Sequence, residues 1–163
     1  MKSIIYVKAD HGELSEHFKA NEFQCKDKTE GLLVATELIE KLEKIREHFN
    51  APVIVNSGYR TPSWNSKVGG TQNSYHCKGM AADIVVKGHN SREVSKYADS
   101  IMEQGGVIRY TNFTHIDVRE EKYRKGVWPM ALIKIKDLRE AIQLIKRALE
   151  KLDQIYHILK EKE

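Results

Sequence analysis

Apolar positions along this chain recur at one spacing in some stretches and at another in others, and each spacing predicts an element. Ile4, Tyr6 and Val7 outline a short edge strand, and Leu14 to Phe18 reads as a turn that docks a phenylalanine. Val34, Leu38, Leu42, Ile45 and Phe49 then follow at steps of three and four between charged residues, which predicts an amphipathic helix facing a core. Asn50-Ala51-Pro52 should end it. Val53 to Ser57 is a β-branched run, a buried strand that leads into Gly58, Tyr59 and Arg60. Thr61 to Ser74 holds Pro62, Gly69 and Gly70 among polar residues and is expected to be irregular, lying over a site. Strand character returns over Ala81 to Val86. Asn90 with Glu93 three residues later forms a capping box for a helix through Tyr97, Ala98 and Met102, stopped by Gly105-Gly106. Phe113 to Val118 alternates as a half-buried strand does.

The pattern changes after Asp137. Leu138, Ile142, Ile145, Leu149, Leu152, Tyr156 and Leu159 alternate steps of four and three over about three heptads, and Ala141, Ala148 and Ile155 widen the stripe. Such a seam can pack back onto its own domain or pair with a second copy, and both readings stay open. Gly126 to Pro129 is the best boundary, giving a domain over 1–126 and a helical extension over 127–163. A chain of 163 residues is long enough to bury one core and does not demand two. The elements predict an α+β fold.

Composition narrows the partners. Lys and Arg outnumber Asp and Glu by 27 to 23, a mildly basic balance that favours anionic partners. No Lys/Arg stripe with interleaved aromatics is present, so nucleic acid is not expected. The N-terminal apolar run is interrupted by Lys8 and Asp10, too early for a secretory or membrane segment. The expectation is synthesis in the cytoplasm without a signal, no membrane partner, and action elsewhere only after release by other means. Cys25 and Cys77 are far apart and form no Cys-x-x-Cys pair; free thiols are the default, and whether the two bond is left open.

Candidate chemistry centres on His76, Asp83 and His115. Two imidazoles and a carboxylate are a ligand set that a catalytic zinc uses while keeping a fourth position open. On a strand, Asp83 should share its face with Ala81 and not with Ala82. Spacing alone does not separate these residues from the rest of seven histidines. The words around them do.

Ser57-Gly58-Tyr59-Arg60-Thr61-Pro62, Asn65 with Val68-Gly69-Gly70, Ser74-x-His76-x-x-Gly79-x-Ala81-x-Asp83 and His115-x-Asp117 together resemble the zinc D-alanyl-D-alanine peptidases, specifically the small M15-type peptidoglycan peptidases of phages and prophages. The resemblance runs from about Leu14 to Arg119. It implies a hedgehog/DD-peptidase-like α+β fold, a small antiparallel sheet with flanking helices, and zinc held by His76, Asp83 and His115. It further implies cleavage of a stem-peptide bond, either a terminal D-Ala-D-Ala or an internal L-Ala-D-Glu type bond, by a phage or prophage lysin. Arg60 would bind the substrate carbonyl or carboxylate, and Ser74 would hydrogen-bond in the site. From their positions near strands, Tyr59 and Tyr110 either line the cleft and meet substrate or belong to the core.

The chain departs from many such relatives in one respect. Where they carry a glutamate base three residues before the last histidine, Asn112 stands here, and an amide cannot accept the proton. Asp117 is the nearest carboxylate; it can act as base, orient His115, or anchor Arg119. A rival of another class is a wall-binding or assembly protein that keeps zinc without turnover.

Overall fold

A computed structural model describes residues 2–126, 140, 142, 143, 145–152 and 160. In chain order the elements are β1 (Ile4–Lys8), a single 3-10 turn (Ala20–Phe23), β2 (Gly31–Ala35), α1 (Thr36–Phe49), β3 (Val53–Ser57), α2 (Pro62–Lys67), β4 (Ala81–Val86), α3 (Ser91–Ile101), β5 (Gly106–Arg109), β6 (Thr114–Asp117) and β7 (Tyr123–Lys125). β1 and β2 form an antiparallel pair; the main sheet runs β3-β4-β6-β5-β7. The architecture is α+β, as expected. Its main sheet is antiparallel except at one edge, where β7 pairs in parallel with β5.

Alternation along β4 decides which side is core. Ala82, Ile84 and Val86 join Val107 and Ile116 under α1 and α3, against Leu38, Leu42, Ile45, Val94 and Ala98. Leu42 and Ile45 are fully buried, and each such side chain contributes roughly 1.5–3 kcal/mol. Ala81, Asp83, His115 and Asp117 occupy the alternate positions and so face the other side, as the period-two rule requires.

Helix ends follow local chemistry. Asn50 closes α1 in the left-handed region at φ 45°, which asparagine tolerates better than most residues. The Asn90 side chain accepts from Arg92 and Glu93 amides while Glu93 reaches back to the Asn90 amide, so the expected capping box is present.

Two expectations are corrected. Val34 belongs to β2 and not to the helix, which begins at Thr36; Leu32 and Val34 point inward with period two and pair with β1. The stretch expected to be irregular contains α2, whose Thr61 hydroxyl accepts from Trp64 N and whose Pro62 sits at the first helical position. The chain divides into two compact units, Met1–Val127 and Trp128–Glu163. In the second, residues 145–152 are helical, and Ile142, Ile145, Leu149 and Leu152 are exposed. The expectations for Leu138, Ala141, Ile155, Tyr156 and Leu159 lie outside the described residues. Among the described residues no helix is long and apolar enough to cross a membrane.

Candidate metal centre

Register places the first two ligands side by side. Asp83 on β4 pairs directly with His115 on β6, and their side chains emerge on the same face. His76 comes from the turn before β4, held by Gly79 N donating to the His76 carbonyl and by Met80 N donating to the Tyr75 carbonyl. Arg60 N also donates to the His76 carbonyl, at 3.2 Å, tying this turn to the end of β3.

The three donor atoms converge. His115 Nδ1 lies 2.8 Å from Asp83 Oδ1, His76 Nε2 lies 3.3 Å from the same oxygen, and the two ring nitrogens are 3.3 Å apart. Tetrahedral zinc with bonds of ~2.0–2.2 Å requires ligand atoms separated by about 3.3–3.6 Å. The triangle is close to that size, with one edge slightly short. Two nitrogens and one oxygen also match the donor set that zinc accepts, so the residues fit the metal.

The far side of each ligand is committed elsewhere. His76 Nδ1 is 2.7 Å from the Gly58 carbonyl, which can only accept, so the proton sits on Nδ1 and the Nε2 lone pair faces the centre. His115 Nε2 lies 3.1 Å from Asp117 Oδ2 in the same sense, leaving Nδ1 for a metal. Asp83 Oδ2 accepts from Arg60 Nη2 at 2.6 Å, and Arg60 Nε donates to Ser57 Oγ at 2.8 Å. An irregularity in pairing between Val55 and Ser57 re-aims the strand end that carries this serine.

Charge is balanced within the cluster. Burial pushes the Asp83 carboxyl up, but the hydrogen bond from His115 and the neighbouring His76 ring outweigh it and hold it well below the usual carboxylate range. Burial pushes His115 down, yet its bonds to Asp117 and Asp83 carry the net shift upward. Asp117 is likewise raised by burial and lowered further by Arg119 and His115, with a net downward shift.

The cluster lies in a cleft of about 560 Å³. Arg60, Ser74, His76, Asp83, His115 and Arg119 all line it, with Tyr110 and Phe113 stacked at 4.4 Å as one wall. Tyr59 is not among its lining residues; the ring packs against the hydrophobic core, where burial pushes its hydroxyl pKa up. Asn112 is exposed in the turn between β5 and β6 and does not line the cleft. Asp117 is fully buried, and its two oxygens accept from Gly106 N, Arg119 and His115. Cys25 and Cys77 both carry free thiols.

Sequence reasoning missed the supports. Ser57 and Gly58 stand in the Ser57-Gly58-Tyr59-Arg60 word without a role read from it, and Gly106, Tyr75 and Tyr123 carry no sequence signal, because what all five do depends on register or on backbone atoms. Arg119 had a weak one, since it follows Asp117 at the strand period.

A sequence profile of the family described as Peptidase M15 matches residues 16–117, more than half of the chain. That interval contains Arg60, Ser74, His76, Asp83, His115 and Asp117. No curated protein matches the chain.

Proposed function

The chain belongs to the peptidase M15 family, and from that membership we propose that it is a zinc-dependent peptidase acting on peptidoglycan stem peptides, with His76, Asp83 and His115 as metal ligands. The observation that carries this reading is the convergence of three donor atoms, each oriented by a partner behind it: Gly58 O, Asp117 and Arg60. Zinc bound there would polarise the scissile carbonyl and bring the pKa of its water to about 7.

The protein's own residues set the rest. Arg60 spends Nε and Nη2 on Ser57 and Asp83, so one edge of its fork fixes a ligand while Nη1 is left to meet a substrate carbonyl or carboxylate. Both guanidinium groups that line the cleft are already paired, Arg60 with Asp83 and Arg119 with Asp117, so a carboxylate of a wall stem would be met locally by Arg60 Nη1 and not by a net positive field. Ser74 offers its hydroxyl from the same wall. Of the three roles open to Asp117, orientation of His115 fits best, because a fully buried carboxylate with both oxygens occupied has no route to an attacking water. Its place is behind the ligand. The setting we propose is a phage or prophage lysin that meets the wall after release.

One observation favours a second reading. Among the described residues, Asp83 is the sole carboxylate lining the cleft, so no separate side-chain base is at hand, as a zinc-holding wall-binding protein without turnover would allow. Metal analysis followed by mass spectrometry of muropeptides separates the two. The peptidase reading expects about one zinc per chain and new peptide ends that name the bond, terminal or internal, both lost in His115→Ala. Bound zinc with no release from several wall chemotypes would replace it with the second reading.

A further inference from the structure

We infer that Arg119 is a positioning residue of the metal centre, clamping Asp117 so that His115 presents Nδ1 and linking that strand to the turn that carries His76. The inference rests on the zinc reading above.

Arg119 Nε donates to Asp117 Oδ1 at 2.7 Å and Nη2 donates to Oδ2 at 2.5 Å, a two-point fork that fixes the plane of the carboxylate. The Arg119 and Gly106 amides also donate to Oδ1, at 3.1 and 3.2 Å. Oδ2 is thereby aimed at His115 Nε2, and rotation of the carboxylate would break several bonds at once.

The guanidinium is itself held. Its central carbon lies 4.4 Å from the Tyr75 ring centroid and 4.6 Å from that of Tyr123, so Arg119 stacks with both aromatic faces. Tyr75 adjoins His76, and Tyr123 begins β7, whose amide donates to the Gly105 carbonyl. One planar cation therefore contacts the His76 turn, the end of β6 and the sheet edge. A lysine could supply the charge but neither the fork nor the flat stacking surface.

Outer-shell partners of metal-ligating histidines typically change metal affinity by about 10–100-fold when removed. Zinc affinity, read by competition with a chromophoric chelator on the full chain, should fall by about that factor in Arg119→Gln, and Arg119→Lys should recover only a small part of it. The control for a merely structural arginine is Arg124→Gln. Arg124 is held by Asp99 and by the Met102 and Gly105 carbonyls at the same sheet edge but does not line the cleft. It should lower the metal-free melting temperature and leave zinc affinity unchanged. If Arg119→Gln does not fold, Tyr123→Leu removes one stacking face and should still weaken zinc at least threefold. Wild-type zinc affinity in a folded Arg119→Gln, or in Tyr123→Leu should that variant be needed, overturns the proposal. A wild type that binds no zinc fails the metal reading instead.

Discussion

At the scale of single residues, the site is decided as much by absent side chains as by present ones. A Cβ on Gly106 would stand 2.1 Å from Asp117 Oδ2 and 2.6 Å from its Cγ, while Gly12 and Gly88 would meet nothing within 4 Å. The carboxylate cannot yield easily, because Arg119 and the Gly106 amide itself hold it. We expect Gly106→Ala to destabilise the metal-free fold by about 1–3 kcal/mol, the range for forced overpacking, and to weaken zinc binding as well. Urea unfolding in chelator and a zinc titration check the two parts; an alanine variant indistinguishable from wild type in both would show that Asp117 has room to move. His76, Asp83 and His115 were legible in the sequence because each sits in a specific word. Gly58 was legible only as part of a word and Gly106 not at all, since a carbonyl that accepts and a hydrogen that leaves space look alike in any glycine.

Among the elements, legibility tracked length and end chemistry. α1 and α3 span 14 and 11 residues, enough turns for their periodicity to show, and Asn50 and Asn90 marked where they stop and start. β2, α2, β5 and β7 run three to six residues, fewer than two periods of a helix, and β2 and β7 are set by pairing with strands 17 or more residues away. The heptad seam after residue 137 is the reverse case, a long clear pattern. Ile142, Ile145, Leu149 and Leu152 are exposed on their helical segment, and exposed apolar residues in strict four-three alternation are the requirement for a coiled-coil seam. We propose that this seam pairs with that of a second copy. Sedimentation equilibrium of the full chain should show dimers or higher species that Leu149→Glu shifts to monomer. A wild type that stays monomeric at tens of micromolar would leave the seam without that role.

For the molecule as a whole, the charges at the centre tie stability to both pH and metal. His115 titrates above its ordinary value near 6.5 because Asp117 and Asp83 more than offset its burial. Its stabilising contribution is therefore complete below about pH 6.5 and is lost as pH rises through the raised value. Asp83 and Asp117 titrate below their ordinary values, so their contribution is present above about pH 4 and fades only in stronger acid. Without metal, these groups favour the folded state most between roughly pH 4 and 6.5. Zinc changes the balance, because it binds His115 only after the proton leaves Nδ1, so binding releases that proton and strengthens as pH rises. Saturation at a hundred times the dissociation constant adds about 2.7 kcal/mol to the folded state. The gap in melting temperature between zinc-loaded and chelator-treated protein should therefore widen as pH rises from about 6.5 through the raised His115 value and level off above it. Its source can be identified by calorimetry in buffers of different ionisation enthalpy, which should detect a proton released on binding, more of it below the raised His115 value than above it. A constant gap with no proton released would mean that His115 is already neutral when the metal arrives, and the hydrogen bonds drawn from it to Asp83 and Asp117 would have to be reassigned.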